Sequence, residues 1–568
     1  MSRRFVLLAV VLFFASSVAA SDCGALAGLW KAKRWLKPHI RSTLIIQRSG
    51  DAYTADLAGR AIAVTVKGRE LSFQVPALRG SFRGKVDAAE IAGFWYQPNA
   101  IPVRLHNAGA NRWMGTVETV ETTLTFYLLV QKRPDGSLGV LVDNPELDRG
   151  VRIGADTVVC EGNVVKLVGK SVVATGTYDA EEDVITLPLA DWGGGTYDFK
   201  RDNDDSDFYE RGKSSARYVY HQPPALSDGW RTQSPEEARI DRSGLEATIQ
   251  TLIDRPIDSN DVPLVDALLV ARHGKLVLEE YFRGQDRDTS HALRSAQKSM
   301  VSVLAGAVMQ KGGVLSVSSP VYKVMNGGTF PPDLDPRKRA MTLEHLLTMT
   351  SGLSCDDWDD AATHNEDEMW DHADTEPDFY RYALNLPMAG NPGEKAFYCS
   401  AGANLASGVI GRATGESVIE LFDRLVARPM KIDHYLWPLN GAGQPYGAGG
   451  ASFRARDFLK FGQLMLNGGT WNGTRILSRD YVARSTSPLY ALGRFHYGYL
   501  WWIHDYAYKG RTVRAFWAGG NGGQSVIVIP ELDFVVATYG SNYFSAGGYY
   551  VQLEVIPKSL LPAIRDIP

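Results

Sequence analysis

The sequence predicts an α+β protein in which an all-β barrel or sandwich region precedes a domain built on one antiparallel sheet flanked by helices. Three observations carry this. From about Ser42 to Phe199 the chain alternates polar and apolar residues in short runs broken by turn residues. From Arg201 to Glu237 it turns polar, with Asp202-Asn203-Asp204-Asp205 and Pro223-Pro224, the composition of a linker. Beyond that, apolar strands stand at both ends of a segment whose middle has helical periodicity. At 568 residues the chain exceeds the ~250–300 at which a single core stops growing, so two folded units are expected.

The β region is marked by Thr43–Gln47, Ala61–Val66, Glu70–Val75, Thr123–Val130, Ser171–Thr177 and Asp183–Leu189. Ser49-Gly50-Asp51, Lys67-Gly68 and Pro134-Asp135-Gly136 suit tight reversals between them. This region shows no catalytic constellation, and its role is left open. The composition places the boundary near Gln222, giving residues 21–222 to the β-rich part and 223–568 to the second domain. That domain opens with a helix after Asp241, then Leu264–Ala271 and Lys275–Phe282 as a hairpin around His273-Gly274. Glu416–Arg428 places Val418, Ile419, Phe422, Leu425 and Val426 on one helical face before Pro429, and Arg456–Asn467 repeats the pattern before Gly468-Gly469. Ser525–Ile529 and Phe534–Thr538 form the closing hairpin.

The N-terminus reads as an export signal, residues 1–20: Arg3 and Arg4, the apolar run Phe5–Ala15, then Val18-Ala19-Ala20 before the expected cleavage. The run is shorter than the ~18–20 apolar residues of a spanning helix, so no stable membrane span is expected after cleavage, and the expected compartment is the periplasm or the exterior. In such a compartment Cys23, Cys160, Cys355 and Cys399 are disulfide candidates, and pairing within each half of the chain is the simplest of three connectivities. With 22% charged residues and a net charge of -4, no broad basic surface points to nucleic acid. No metal-ligand spacing recurs in the acidic stretch Asp356–Asp378, despite His364 and His372, which reads as a solvated loop beside a cleft, with neither metal nor cofactor expected.

The chemistry is carried by Ser295-Ala296-Gln297-Lys298, followed by Met300, Val303, Leu304, Ala307 and Val308 at helical spacing and closed by Gly312-Gly313. At i and i+3 the serine and lysine meet on one helix face. A serine in the first turn also sits where backbone N–H groups favour a developing oxyanion. Downstream, Asn391-Pro392-Gly393 leads to Tyr398-Cys399-Ser400 and a helical stretch Ala401–Thr414.

Ser-x-x-Lys, then Tyr-x-Ser, then a Gly-rich strand, in that order, resembles the class C β-lactamase and penicillin-recognising serine hydrolase family. The resemblance covers roughly Ser227 to Leu561. It extends to Thr342–Leu353, ending in Ser351-Gly352-Leu353, and to Tyr446-Gly447-Ala448-Gly449-Gly450 with Asp457-Phe458 and Lys460-Phe461-Gly462. It implies that Ser295 attacks a carbonyl, that Tyr398 as phenolate takes its proton, that Lys298 holds that phenolate, and that Ser400 bonds the lysine or the substrate. Where the family carries Lys-Thr-Gly or His-x-Gly, this chain has Phe516-Trp517-Ala518-Gly519-Gly520-Asn521-Gly522-Gly523, with Trp517 or Ala518 at the basic position. A buried carboxylate without a paired cation is costly, which turns the expectation from β-lactams towards an ester or amide of a small uncharged acyl compound. Arg514 is a candidate to restore the charge, and a backbone N–H near Gly520 would join that of Ser295 on the oxyanion. The alternatives are a β-lactamase or D-Ala carboxypeptidase and a catalytically silent cell-envelope binding protein. Oligomeric state is not legible.

Overall fold

The computed structural model describes residues 23–565 apart from 37–38, 88, 121, 147–152, 190–194, 214–215, 260 and 360–361. The expected signal segment lies outside the described residues.

By contacts the chain forms two compact units, and neither follows the expected boundary near Gln222: one comprises residues up to Arg34 together with Leu124–Asn203, the other Trp35–Thr123 together with the chain from Asp204 onward. The first unit is a closed barrel whose opening strand, Gly28–Trp35, pairs with its last, Thr196–Arg201, through Trp30 and Arg201. Closure leaves no free edge, and the alternate residues Trp30, Phe126, Leu128, Leu167 and Phe199 fill the interior. The Cys23–Cys160 disulfide belongs to this unit.

In the second unit a nine-stranded antiparallel sheet spans Arg41–Glu118 among the described residues. Its strands keep the period of two: in Glu70–Val75 the buried Leu71, Phe73 and Val75 alternate with exposed or half-buried residues, and Leu44, Ile46, Phe73, Phe82 and Trp95 form its core. A second nine-stranded sheet is antiparallel except at its edge, where Arg231–Thr232 runs parallel to Lys275–Tyr281. The hairpin between Val265–Arg272 and Lys275–Tyr281 turns through His273 and Gly274, both at positive φ (51° and 70°), as a two-residue loop demands.

This second sheet is covered on both faces. One face packs against the helices Gln297–Lys311 and Ala455–Leu466, and Ser400–Thr414 packs in turn on Gln297–Lys311. The other packs against Arg242–Ile253 and the C-terminal helical segment from Val551. The strands accordingly read as unbroken apolar runs, every residue of Gln524–Ile529 and Phe534–Gly540 being buried. The helix expected over Glu416–Arg428 is α-helical only over Val418–Phe422 and continues as a π-helical turn, Asp423–Ala427, whose buried Asp423 accepts from Arg104 of the first sheet at 2.9 Å.

Candidate active site

Ser295 lies on a 3-10 turn, Arg294–Ala296, that runs directly into Gln297–Lys311. Arg294 takes positive φ (49°), a backbone conformation that a non-glycine residue adopts at a cost and that reorients the chain just before the serine. From Gln297 to Val308 the helix is buried on every side. This burial brings the i, i+3 pair together away from water: Lys298 Nζ donates to Ser295 Oγ at 2.9 Å and to the carbonyl of Ala448 at 2.8 Å. The same Nζ lies 4.9 Å from the centre of the Tyr398 ring.

Burial is the largest influence on Lys298 and pushes its pKa down, but Tyr398, Glu366 and Asp357 together outweigh it, and the pKa lies above the ordinary lysine value. The amine therefore stays an ammonium at neutral pH. A cation at this position is a donor to neighbouring oxygens, not an acceptor of the serine proton.

Tyr398 is nearly buried and precedes the helix Ser400–Thr414, whose first turn is capped by the Cys399 sulfur accepting from the Gly402 N–H at 3.2 Å. Cys399 is disulfide-bonded to Cys355, and both cysteine pairs follow the within-half connectivity. The Cys355 side of the bridge carries the segment around Asp357 to Tyr398: Asp357 N–H donates to the Tyr398 carbonyl at 2.8 Å, and the Ser400 N–H donates to Asp357 Oδ2 at 2.7 Å. Burial first, then the nearby Glu366, raise the Asp357 pKa to about 6, against the opposing pull of Lys298 and Ser400. The Glu366 carboxylate accepts from Tyr446 Oη. Ser400 is placed beside the Asp357 carboxylate and makes no bond to Lys298: its hydroxyl is buried and closes no hydrogen bond of normal geometry, yet it lowers the Asp357 pKa.

The strand Arg511–Gly520 brings its last glycine against the serine turn. A Cβ on Gly520 would stand 2.1 Å from the Leu293 carbonyl oxygen and 3.0 Å from the Ala296 nitrogen, so only glycine permits this approach. Gly519 is hemmed in by two indoles, Trp517 and Trp502, at 2.8 and 3.3 Å from the same construction. Trp517 is buried on the opposite face of the sheet and stacks on Trp502 (6.1 Å, 19°). Trp502 in turn stacks on Tyr398 (5.6 Å), and the half-exposed Trp358 lies parallel to Tyr398 at 5.4 Å. Arg514 does not restore the missing cation, because its guanidinium pairs with Asp505 at 3.0 Å and it stands six residues, ~20 Å along the strand, from Gly520.

Gln297, Ala448, Asp357 and Glu366 were not singled out by spacing. Gln297, an interior residue of Ser-x-x-Lys, donates to the Tyr446 carbonyl and accepts from the Ala451 N–H, both at 2.7 Å. The only sequence signal for this contact is the Tyr446–Gly450 segment itself. Among the described residues no cluster of three or more His, Cys, Asp or Glu side chains is arranged to hold a metal.

The family model for β-lactamase matches residues 253–546, more than half of the chain. The chain belongs to the β-lactamase family of serine hydrolases. It is 29% identical over 226 residues to 6-aminohexanoate-dimer hydrolase of Paenarthrobacter ureafaciens, covering 38% of this chain and 56% of that protein. It is 27% identical over 213 residues to esterase EstB of Burkholderia gladioli, covering 34% and 52%. The chain thus spans about half the length of the curated relatives it matches. A penicillin binding protein structure from Bacillus halodurans superposes with a TM-score of 0.41 at 18% identity, covering 52% of this chain and 96% of that one.

Proposed function

We propose that this β-lactamase-family protein is an exported hydrolase that cleaves an ester or amide bond of a small acyl substrate through an acyl-enzyme on Ser295. The observation that carries the reading is the 2.9 Å contact between Ser295 Oγ and a buried Lys298 that remains charged beside Tyr398. A tyrosine serves as a base near neutrality only where a cation favours its phenolate, and each unit of lowering takes ~1.4 kcal/mol of differential interaction. Lys298 holds such a cation 4.9 Å from the centre of the Tyr398 ring.

In this mechanism the Ser295 proton passes to the Tyr398 phenolate as Oγ bonds the substrate carbonyl carbon. The tetrahedral oxyanion takes N–H donors from Ser295 and the Gly520 region. Collapse breaks the bond to the alcohol or amine, which leaves with the proton from Tyr398. Water then attacks the acyl-enzyme, gives a proton to Tyr398, and releases the acid while the proton returns to Ser295. The apolar wall of Trp358 and Trp502 beside Tyr398, with no cation at the Trp517 position, favours an uncharged acyl group. The names of the two relatives, an oligoamide hydrolase and an esterase, fit this class.

Purified mature protein is expected to hydrolyse p-nitrophenyl acetate and butyrate, with kcat falling at least ~10³-fold in Ser295→Ala. Unchanged turnover in Ser295→Ala removes the mechanism. Nitrocefin as a parallel substrate is expected to be inert, and its turnover would convert the reading to a β-lactamase.

A further inference from the structure

The sheet Arg41–Glu118 carries no chemistry of its own, yet one of its turns reaches the backbone that holds Lys298. Strands Glu90–Tyr96 and Ala100–Asn107 are joined through Gln97-Pro98-Asn99. At the end of this turn Ala100 and Trp437 exchange both backbone hydrogen bonds, Ala100 N–H to the Trp437 carbonyl at 2.9 Å and Trp437 N–H to the Ala100 carbonyl at 2.8 Å. Both residues are fully buried, and Trp437 packs on Phe422 at 4.8 Å. Asn99 Oδ1 lies 3.4 Å from the Leu439 nitrogen.

From Trp437 the chain loops out and returns, closing with Tyr446 N–H on the Pro438 carbonyl at 2.8 Å. The returning segment then lies along the serine turn and is bonded to it repeatedly. Gln297 bridges Tyr446 and Ala451, Lys298 donates to Ala448, and Leu293 N–H donates to the Ala451 carbonyl at 2.7 Å. Gly449 fits directly against Arg294, where a Cβ would stand 3.4 Å from the carbonyl carbon. A continuous path of backbone bonds therefore runs from the first sheet to the lysine ammonium.

We propose that the turn Gln97–Ala100 is a positioning element for Lys298, fixing Trp437 and through it the Tyr446–Ala451 segment whose Ala448 carbonyl aims the ammonium. This rests on the hydrolase reading above. An ammonium has three donors, and a buried one keeps its direction only while its acceptors stay in place. If Ala448 moves, the ammonium turns with it and its hold on Ser295 and Tyr398 loosens. Displacements of about 1 Å far from reacting atoms are enough to lower turnover by orders of magnitude. Because this alters the transition state and leaves the acyl pocket intact, the effect falls on kcat and not on KM.

The test is Ala100→Pro, which deletes the N–H donor to Trp437 at the first residue of a strand, where proline is tolerated. Ala100→Gly, which removes only a buried methyl group and loosens the turn, serves as the second variant. With p-nitrophenyl butyrate, kcat is expected to fall about tenfold in Ala100→Pro and two- to threefold in Ala100→Gly, with KM within twofold. The rate at which a fluorophosphonate labels Ser295 is expected to fall in parallel. Folded variants with wild-type kcat and labelling rate overturn the proposal, and Ala100→Gly alone decides if Ala100→Pro does not fold. Labelling of the unmodified protein separates the two readings. No labelling there brings down the hydrolase mechanism, whereas normal labelling with insensitive variants brings down only the role of the turn.

Discussion

Two nine-stranded sheets stand in the same compact unit, equal in strand number and opposite in how they are covered. The first alternates along its strands, as in Arg41–Ser49 with Leu44 and Ile46 buried among exposed or half-buried neighbours, and it builds one core from one face. The second is buried on both faces, down to all eight residues of Val265–Arg272. A sheet held between two layers of helices cannot move one strand without disturbing both, so its strand ends make fixed walls. Gly520 uses that property against the serine turn. The first sheet turns only part of its second face to the rest of the unit, where Phe94 and Ala100 join the larger core, and otherwise acts through a turn and a few side chains such as Arg104.

The largest predicted effect breaks this comparison at matched positions. A Cβ on Gly520 would meet the Leu293 carbonyl oxygen at 2.1 Å, and one on Gly93 of the first sheet would meet the Arg83 carbonyl oxygen at the same 2.1 Å. The local overlap is equal, but what it displaces differs. Gly520→Ala pushes the strand end from the Ser295 turn and is expected to lower kcat at least ~100-fold. Gly93→Ala pushes apart two strands of the first sheet and is expected to cost ~2 kcal/mol or more, with kcat per folded site within about twofold. Phosphonate titration of active sites beside a thermal melt reads both quantities. Loss of kcat in titrated Gly93→Ala would mean that the first sheet transmits strain along its strands and not only through its turn.

A second effect concerns the polar groups buried beside the second sheet. Asp266 accepts from Ser541 Oγ at 2.6 Å, lies 3.2 Å from His291 Nε2 and 3.5 Å from Arg283 Nε. Close by, burial raises the Glu210 pKa to about 8, with Asp266 adding to the rise and Arg283 opposing it. A carboxyl whose folded pKa is raised binds its proton more tightly folded than unfolded. Its stabilising share is therefore complete below the unfolded value of 4.5 and is lost as pH climbs to about 8. Glu210→Gln keeps the uncharged shape at every pH. Its stability in urea is expected to match wild type near pH 4.5 and exceed it by ~4 kcal/mol near pH 8, and parallel pH profiles would remove the assignment.

How much of this was legible follows the same division. The first sheet's strands over Thr43–Gln47 and Glu70–Val75 were readable because one face meets water, and period-two patterning records that. Their partition was not. The barrel closes Gly28–Trp35 onto strands that begin at Thr123, so the sheet between is an insertion, and pairings between such distant strands leave no local trace. In the site, Ser295 and Lys298 were legible because one helix places them, and Cys355 with Cys399 because few pairings exist. Asp357, Gln297 and Ala448 were not, since each acts through a backbone group met only after folding. Arg514 misled for the same reason: its charge is spent on Asp505, across the strand pair.

The smallest predicted effect sharpens where the first sheet grips its neighbour. Lys85 Nζ lies 2.7 Å from Glu420 Oε2, and this contact raises the lysine pKa, yet the two side chains remain 54% and 40% exposed. Water and salt screen such a pair, and ordering two long side chains offsets much of what is gained, so Lys85→Ala is expected to change stability by less than ~0.5 kcal/mol and leave kcat unaltered. The Ala100 to Trp437 bonds differ in kind, being dry, paired and directed at the loop that carries Ala448. If Lys85→Ala lowered kcat, the sheet would be acting through Glu420 and the helix Val418–Phe422 that bears it, and positioning would enter from behind the Ser295 helix and not through the Trp437 loop. An unaltered kcat there, beside a tenfold loss in Ala100→Pro, locates the coupling in the backbone contact between Ala100 and Trp437.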